Sequence, residues 1–341
     1  MENLPDRINT VEDLDELLSR PNEKLVDYMK NLEGDLMILG AGGKIGPTLT
    51  RLAKRAVDAA GVQKEIYAVD VMQLPELQAE GIKTITCDLL DLKEVDQLPR
   101  VANVIFMAGR KFGSTGNEPL TWAINVIVPY HVARTFADSR IAAFSTGCVY
   151  PVMHVFSGGP TEGTPPDPIG EYAMSCLGRE RMFDFLSQAE GARVVQIRLN
   201  YSVELRYGVL YDIASKVWNE EPVDVTTGFA NVIWQGDASS QIIQSLSLAS
   251  SPPAILNVTG PETFSVRQVA LAFGEHLGKE VQIVGEENGM AYINNATRAN
   301  ELFGYPTVPL GKVIDWTAHW IKCGGASLDK PTHFETQDGQ Y

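Results

Sequence analysis

Basic residues and long apolar runs are scarce in this chain of 341 residues. It has 28 Lys and Arg but 43 Asp and Glu, which gives a formal net charge of −15. This acidic balance argues against a protein surface that binds the phosphates of a nucleic acid. No apolar run reaches the ~20 residues of a membrane span. The acidic N-terminal segment lacks the basic and apolar regions of a signal peptide. We therefore expect a cytoplasmic protein with neither a nucleic acid nor a membrane as partner.

Cysteine and histidine are also too few and too scattered to form a recognisable framework. The four cysteines show no CxxC spacing, and the five histidines show neither HxH nor HExxH spacing. A disulfide scaffold needs a higher cysteine density, and a metal site needs ligands at characteristic intervals. The sequence therefore predicts neither disulfides nor a metal site.

Short apolar strands alternate with helices in the first 200 residues. This alternation is typical of a doubly wound parallel sheet, so we predict an α/β protein with a Rossmann core. After residue 200 the elements become short and irregular, which predicts a smaller C-terminal substrate lobe. The predicted strands are 35–39, 65–69, 82–86, 103–107, 141–145, 193–197 and 254–258, and the predicted helices are 44–60, 119–137, 171–187, 209–218, 237–248 and 266–277.

The composition shifts along the chain suggest its division into units. Residues 1–33 form a helical extension packed on the domain surface or on a partner subunit, and residues 326–341 form a loose polar tail. The predicted units between them are a cofactor-binding core at 34–200, to which 230–260 return, and a substrate-binding lobe at 201–229 and 261–325.

The strongest local signal is the glycine-rich loop at residues 40–46, between the first strand and the first long helix. Gly40 allows the tight turn, Gly43 lets the backbone approach a pyrophosphate, and Gly46 lets the helix pack close to the sheet. At the helix start, Lys44 and Ile45 belong to the N-terminus that would offer N–H groups to the phosphates. The loop predicts binding of a dinucleotide.

Residues at the ends of the following strands complete the predicted cofactor site. Asp70 ends the second strand at the expected distance from the loop, where its carboxylate would accept hydrogen bonds from ribose hydroxyls and repel a 2′-phosphate. The predicted cofactor is therefore NAD, although the charge of Lys44 leaves NADP open. Asp88 and Leu89 would lie beside the adenine, and Ala108 and Gly109 would also contact the cofactor.

Several further motifs together resemble the extended short-chain dehydrogenase/reductases, the NAD-dependent epimerase/dehydratase group. The resemblance covers about residues 35–320. Besides the glycine loop, it rests on INVIVPYHVARTF at 124–136, FSTGCVYP at 144–151, PIGEYAMSCLGRER at 168–181, RLN at 198–200 and LNVTGPETFSVRQVA at 256–270.

The resemblance implies roles for particular residues. Thr146 matches the residue that holds the substrate hydroxyl or carbonyl, and Tyr172 matches the catalytic tyrosine that transfers the proton. It also adds Asn125 to the expected cofactor-binding residues, and it implies a homodimer and a small-molecule substrate, such as a sugar.

One departure affects catalysis directly. The family pattern is Tyr-x-x-x-Lys, but this chain has Cys176 four residues after Tyr172. The family's lysine bonds the nicotinamide ribose and lowers the pKa of the tyrosine, and a neutral thiol provides no such charge. Arg110 and Lys111, in the loop after the fourth strand, are the alternative cations.

Other departures from the family pattern narrow the range of substrates and reactions that we expect. Gly147 and Cys148 occupy the positions of the Asp-Glu pair of sugar dehydratases, which argues against elimination chemistry. Ala230 occupies the position of the arginine that grips the diphosphate in nucleotide-sugar enzymes. A nucleoside-diphosphate sugar would then need Arg206, Arg267 or Arg298 for this contact.

Two functions remain open from the sequence. The first is an NAD-dependent oxidoreductase or epimerase that transfers a hydride to or from a sugar-like polyol or a small carbonyl compound. The second is a catalytically degenerate NAD(P)-binding protein, a redox sensor or scaffold, which the change to Cys176 favours. Turnover of NAD(H) distinguishes them.

Overall fold

The computed structural model describes residues 4–111, 116–336 and 339. Its strands are β1 Leu36–Leu39, β2 Ile66–Asp70, β3 Lys83–Thr86, β4 Asn103–Phe106, β5 Arg140–Thr146, β6 Met153–His154, β7 Arg193–Leu199, β8 Ser202–Val203, β9 Val223–Asp224, β10 Phe229–Asn231, β11 Ile233–Trp234, β12 Ala254–Val258, β13 Thr263–Ser265, β14 Ile283–Val284 and β15 Met290–Ala291. Its helices are α1 Val11–Leu18, α2 Glu23–Asn31, α3 Gly46–Ala60, α4 Pro75–Ala79, α5 Leu92–Gln97, α6 Glu118–Trp122, α7 Val128–Thr135, α8 Gly170–Glu190, α9 Val209–Trp218, α10 Gln235–Gln244, α11 Val266–Leu277, α12 Thr297–Phe303 and α13 Leu310–Lys322.

A seven-stranded sheet forms the centre of the molecule, in the order β12-β7-β5-β4-β1-β2-β3. Every pairing in it is parallel. Parallel neighbours require crossover connections, and helices supply these on both faces, so the predicted doubly wound α/β fold is confirmed. The strand order reverses between β1 and β4, which is where ligands bind in such sheets.

The predicted elements agree closely with the observed ones. Strand β12 and helices α9 and α11 begin and end at the predicted residues. The predicted helix over 119–137 is instead a composite in which α6 and α7 are joined by a π-helical turn at Ala123–Ile127. The buried Asn125 lies in this turn. Such turns insert one residue and often occur at functional sites.

Hydrophobic side chains form a cluster on each face of the sheet and a third cluster beneath the C-terminal elements. The N-terminal extension joins two of them. Leu14 and Leu18 of α1 are fully buried in the C-terminal cluster, whereas Leu25 and Met29 of α2 are fully buried in a sheet cluster. Residues 4–33 therefore pack on their own domain; residues 1–3 lie outside the described part.

The expectation of a loose C-terminal tail is wrong for residues 326–336. Phe334 is buried in the C-terminal cluster, and Asp212 of α9 accepts hydrogen bonds from the backbone N–H (2.8 Å) and hydroxyl of Thr332. Thr227 donates to the carbonyl of Glu335 (2.9 Å). These contacts fix a polar segment whose sequence shows no periodicity; residues 337, 338, 340 and 341 lie outside the described part.

Within residues 4–111, 116–336 and 339, no helix combines the length and the apolar character that a membrane crossing needs.

Candidate active site

The glycine loop connects β1 to α3 at the point where the sheet order reverses. Gly40 has a φ of +90°, and a Cβ there would lie 2.6 Å from the backbone nitrogen of Ala108, so only glycine fits. A Cβ at Gly46 would overlap the carbonyl of Ala41. A Cβ at Gly43 would meet only the Gly40 carbonyl, at 3.5 Å. The space beside Gly43 is therefore open to a ligand, as a pyrophosphate cradle requires.

Asp70 lies at the end of β2 and helps to shape the loop. Its Oδ2 accepts from the N–H of Gly42 (2.8 Å), and its Oδ1 accepts from the N–H of Met72 (3.2 Å). Each carboxylate oxygen has a further lone pair, so both can still accept from ribose hydroxyls. In the turn after β3, Asp88 is exposed and its side chain accepts a hydrogen bond from the N–H of Leu90. The neighbouring Leu89 is buried.

A cavity of about 350 Å³ extends from this loop over the carboxyl ends of β1, β4, β5 and β7. Among the predicted site residues, it is lined by Gly40, Gly43, Lys44, Ile45, Gly109, Thr146 and Tyr172. The predicted residues outside its lining are Gly46, Asp70, Asp88, Leu89, Ala108, Asn125 and Cys176. The cavity thus brings the glycine loop together with Thr146 and Tyr172, and Asp70 and Asp88 lie outside its lining.

Thr146 and Tyr172 come together in this cavity. Thr146 ends β5 and Tyr172 lies in the first turn of α8, and both residues line the cavity, where hydrogen bonding from Thr146 acts to lower the pKa of Tyr172. Thr146 also accepts from the N–H of Cys148 (3.2 Å), which fixes its rotamer. Burial raises the pKa of Tyr172 well above its usual value, and the neighbouring Cys176 and Cys148 raise it further. The phenol is therefore protonated and neutral near pH 7.

Cys176 occupies the predicted place one turn after Tyr172, buried with Val149, Tyr150 and Leu177. Burial raises the pKa of its thiol to about 11, against smaller lowering effects from Arg179 and Tyr172. The thiol is neutral near pH 7 because its pKa lies far above that pH. Cys176 therefore adds no charge to the site.

Two other residues bring positive charge to the cavity, one from the loop after β4 and one from α8 itself. The Nζ of Lys111 lies 5.9 Å from the centre of the Tyr172 ring and donates to the carbonyl of Thr332 (3.4 Å). Arg179, on α8, also lines the cavity, and its charge lowers the pKa of Tyr172 against the larger effect of burial. The sequence analysis missed Arg179. Its position seven residues after Tyr172, two helical turns along the same face, was the available signal.

Arg179 and Asn125 form a buried network behind the cavity. Arg179 donates to the carbonyl of Phe144 (2.7 Å) and to Oδ1 of Asn125 (2.7 Å). The same amide oxygen accepts from the N–H of Arg110, and the Asn125 amide donates to the Arg110 carbonyl and to Ser175. The side chain of Asn125 is thus engaged with protein groups, and it positions the loop at Gly109–Arg110 rather than lining the cavity.

Lys44 extends into the cavity and away from Asp70. Its Nζ lies 2.8 Å from the centre of the Tyr207 ring. Burial lowers the pKa of Lys44 well below its usual value, and repulsion from Lys111 lowers it further. In this position Lys44 lies beside Tyr207 in the cavity lining, to which Asp70 does not belong.

The three arginines considered as substitutes for the arginine missing at Ala230 have other partners. Arg206 forms ion pairs with Glu204 and Asp15, Arg267 pairs with Glu287, and Arg298 donates to the carbonyl of Ile255. Ala230 itself is buried in β10, and none of the four lines the cavity.

Comparison with protein-family models and with curated proteins finds no match. Solved structures do match. They include a UDP-glucose 4-epimerase of Thermus thermophilus with NAD (19% identity, 86% of this chain and 99% of that chain covered, TM-score 0.69). A UDP-glucuronic acid 4-epimerase of Bacillus cereus with NAD is also similar, with 17% identity, 84% of this chain and 96% of that chain covered, and a TM-score of 0.68. A dTDP-glucose 4,6-dehydratase of Streptomyces venezuelae with NAD has 18% identity, the same coverages of 84% and 96%, and a TM-score of 0.71. These TM-scores establish likeness of fold, so the predicted resemblance is confirmed at that level: the chain shares its α/β fold with epimerase and dehydratase structures that contain NAD.

Proposed function

We propose that the protein is an NAD-dependent oxidoreductase of the epimerase/dehydratase type that acts on a sugar-like polyol or a small carbonyl compound by hydride transfer. The observation that carries the proposal is that Thr146 and Tyr172 line one cavity, which begins at the glycine loop. A proton donor, a positioning hydroxyl and a dinucleotide loop in one cavity are the components that carbonyl reduction requires.

The glycine loop fits the pyrophosphate of NAD. The open space beside Gly43 and the N-terminus of α3 suit an anionic group, and Asp70 suits an unphosphorylated adenosine ribose. Solved structures of the same fold contain NAD. When bound, NAD supplies a hydride acceptor, and NADH a hydride donor.

The protein's own groups would act on the proton and on the orientation of the substrate. Thr146 would hold the substrate oxygen by hydrogen bonding, and Tyr172 would donate its phenolic proton to that oxygen when a carbonyl is reduced. Because the pKa of Tyr172 is raised, the phenol stays protonated near neutral pH, and the phenolate that would act as the base in oxidation is scarcely populated. The site is therefore better suited to reduction than to oxidation.

Arg179 and Lys111 would take over part of the role of the missing lysine. Arg179 places a permanent charge near Tyr172, and Lys111 approaches the ring from the opposite loop. Both would stabilise negative charge that develops on the tyrosine or the substrate oxygen.

A second candidate function is a catalytically degenerate NAD-binding protein. The specific observation that favours it is the neutral Cys176 beside a tyrosine whose pKa is raised rather than lowered. A panel of sugars, sugar acids and small ketones, assayed by NAD(H) absorbance in both directions, distinguishes the two functions. Turnover of any substrate supports the enzyme, whereas NAD binding without turnover supports the sensor or scaffold.

Asp70→Asn is expected to weaken NAD binding by about 10- to 100-fold and to improve NADP binding relative to NAD. The amide oxygen of the new side chain could still accept a hydrogen bond from the Gly42 N–H, so the variant removes the charge and leaves the loop supported. The loss corresponds to charge-assisted hydrogen bonds to the ribose. Isothermal titration with NAD and NADP measures both effects. An unchanged ratio of the two affinities would refute the role of Asp70.

We also propose that the protein forms the homodimer that the family resemblance implies, through α8 and the composite helix of α6 and α7. Large apolar side chains are exposed on these neighbouring helices: Trp122, Ile127, Met174 and Phe185. Met174 and Phe185 are three helical turns apart on one face of α8. Phe185→Asp should therefore produce a monomer in sedimentation experiments, and a wild-type monomer would contradict the proposal.

A further inference from the structure

The cavity has a charge opposite to that of the protein. The chain carries a net charge of −15, yet the residues described as lining the cavity include five basic residues and no Asp or Glu. The five are Lys44, Arg110, Lys111, Arg179 and Lys330. Clefts lined by one sign of charge concentrate ligands of the opposite sign. The lining therefore selects for an anion.

Three of these cations converge from separate elements. Lys44 comes from the glycine loop, Lys111 from the loop after β4, and Lys330 from the C-terminal segment. Burial lowers the pKa of Lys44, and the charges of Lys111 and Lys330 lower it further, so both of these lysines act on Lys44. Burial also lowers the pKa of Lys111.

The acidic groups near these lysines have other cationic or polar partners. Glu204 is paired with Arg206, and Asp212 accepts both hydrogen bonds from Thr332. Burial raises the pKa of each of these carboxyl groups. Each of these carboxyl groups is therefore engaged by a group other than the three lysines.

The C-terminal segment that carries Lys330 is fixed in place. Leu328 donates to the carbonyl of Arg206 (3.1 Å), and Thr332 is held by Asp212 and accepts from Lys111 (3.4 Å). Lys330 lies between these two anchored residues. Its position at the cavity therefore follows from the packing of the segment.

We propose that the substrate carries an anionic group, a carboxylate or a phosphate, and that Lys111 and Lys330 bind this group close to the reacting carbon. The inference rests on the proposed function and specifies its substrate class. Lys111 lies beside the Tyr172 ring, so an anion bound there is within a few bonds of the group that Tyr172 protonates. The position that matches the family's diphosphate-binding arginine is Ala230, so the anion is recognised from different elements.

The cofactor's pyrophosphate is a different anion with a different place in the fold. It would bind at the loop around Gly43 and at the N-terminus of α3. Lys111 and Lys330 belong to neither element, and Lys111 contacts Tyr172 and Thr332 instead. Substitutions of these two lysines should therefore separate substrate binding from cofactor binding.

The test is isothermal titration of the full chain, with and without saturating NAD, using D-glucose, D-glucuronate, glucose 6-phosphate and inorganic phosphate. At least one anion is expected to bind about tenfold or more tightly than glucose, and to weaken as salt rises. Lys111→Met and Lys330→Met should each lower the affinity for this anion by about 10- to 100-fold, and should change the affinity for NAD little. Lys322→Met, on the exposed end of α13, is the matched control.

Each outcome decides the question. Preference for glucuronate identifies a carboxylate, and preference for glucose 6-phosphate or inorganic phosphate identifies a phosphate. Equal binding of glucose and the anions, or anion binding that is unchanged in the double variant Lys111→Met, Lys330→Met, overturns the inference. If the wild-type protein binds NAD but shows no preference for anions, the inference fails and the proposed function stands. If it prefers anions but does not bind NAD, the proposed function fails and the inference stands.

Discussion

Tyr172→Phe is expected to lower the rate of carbonyl reduction by about 10²–10⁴-fold, because it removes the proton donor. NAD affinity should be unchanged, since the glycine loop and Asp70 are untouched. The rate is measured by NADH absorbance with the substrate that the panel identifies. Tyr150→Phe is the control, because its hydroxyl donates to Asn257 (2.9 Å) and does not line the cavity. A rate unaffected by Tyr172→Phe would refute the proposed role.

The pH dependence follows from the same residue. A general acid acts only below its own pKa, and the pKa of Tyr172 is raised well above its usual value. The reduction rate should therefore stay level from neutral pH to about pH 10, and the reverse oxidation, which needs the phenolate, should rise about tenfold per pH unit. A reduction rate that falls with an apparent pKa near 7 would show that a cation activates the phenol as the family's lysine does.

Glu180→Gln is expected to lower the free energy of unfolding by about 3–5 kcal/mol, because it leaves a buried cation uncompensated. Glu180 and Arg198 are each 2% exposed and form a bidentate ion pair at 3.0 and 2.7 Å. The carboxylate also accepts from Ser145 (2.6 Å), next to Thr146, so the pair joins α8 to β5 and β7. The shift in the denaturant midpoint measures the loss.

Arg181→Met on the same helix is the control for this prediction. Its ion pair with Asp184 (3.0 Å) is exposed, with the Arg181 side chain 59% accessible. Exposed pairs contribute about 0–1 kcal/mol, so this variant should unfold close to the wild-type midpoint. Equal losses in the two variants would show that the buried pair adds no stability beyond that of a surface contact.

Local sequence patterns were enough to predict the central sheet. Strands β1 and β4 are short runs buried along their whole length, and apolar clusters cover both faces of the sheet, so burial of both faces could be predicted. The composite helix around Asn125 could not be anticipated. Its π-helical turn depends on the tertiary partners of Asn125, in the loop at Arg110 and in α8, and not on local propensity.

By itself, the sequence determined the doubly wound fold, the glycine loop with Asp70, and the spacing of Thr146, Tyr172 and Cys176, because each depends on residues close together along the chain. Which charges line the cavity depends on tertiary packing. Arg179, Lys44 and Lys330 reach the cavity from a helix, a loop and the C-terminal segment, and residues from such distant parts of the chain meet only through packing. Packing also decided that the polar segment at 326–336 is ordered, since its anchors Asp212 and Thr227 lie about a hundred residues earlier in the chain.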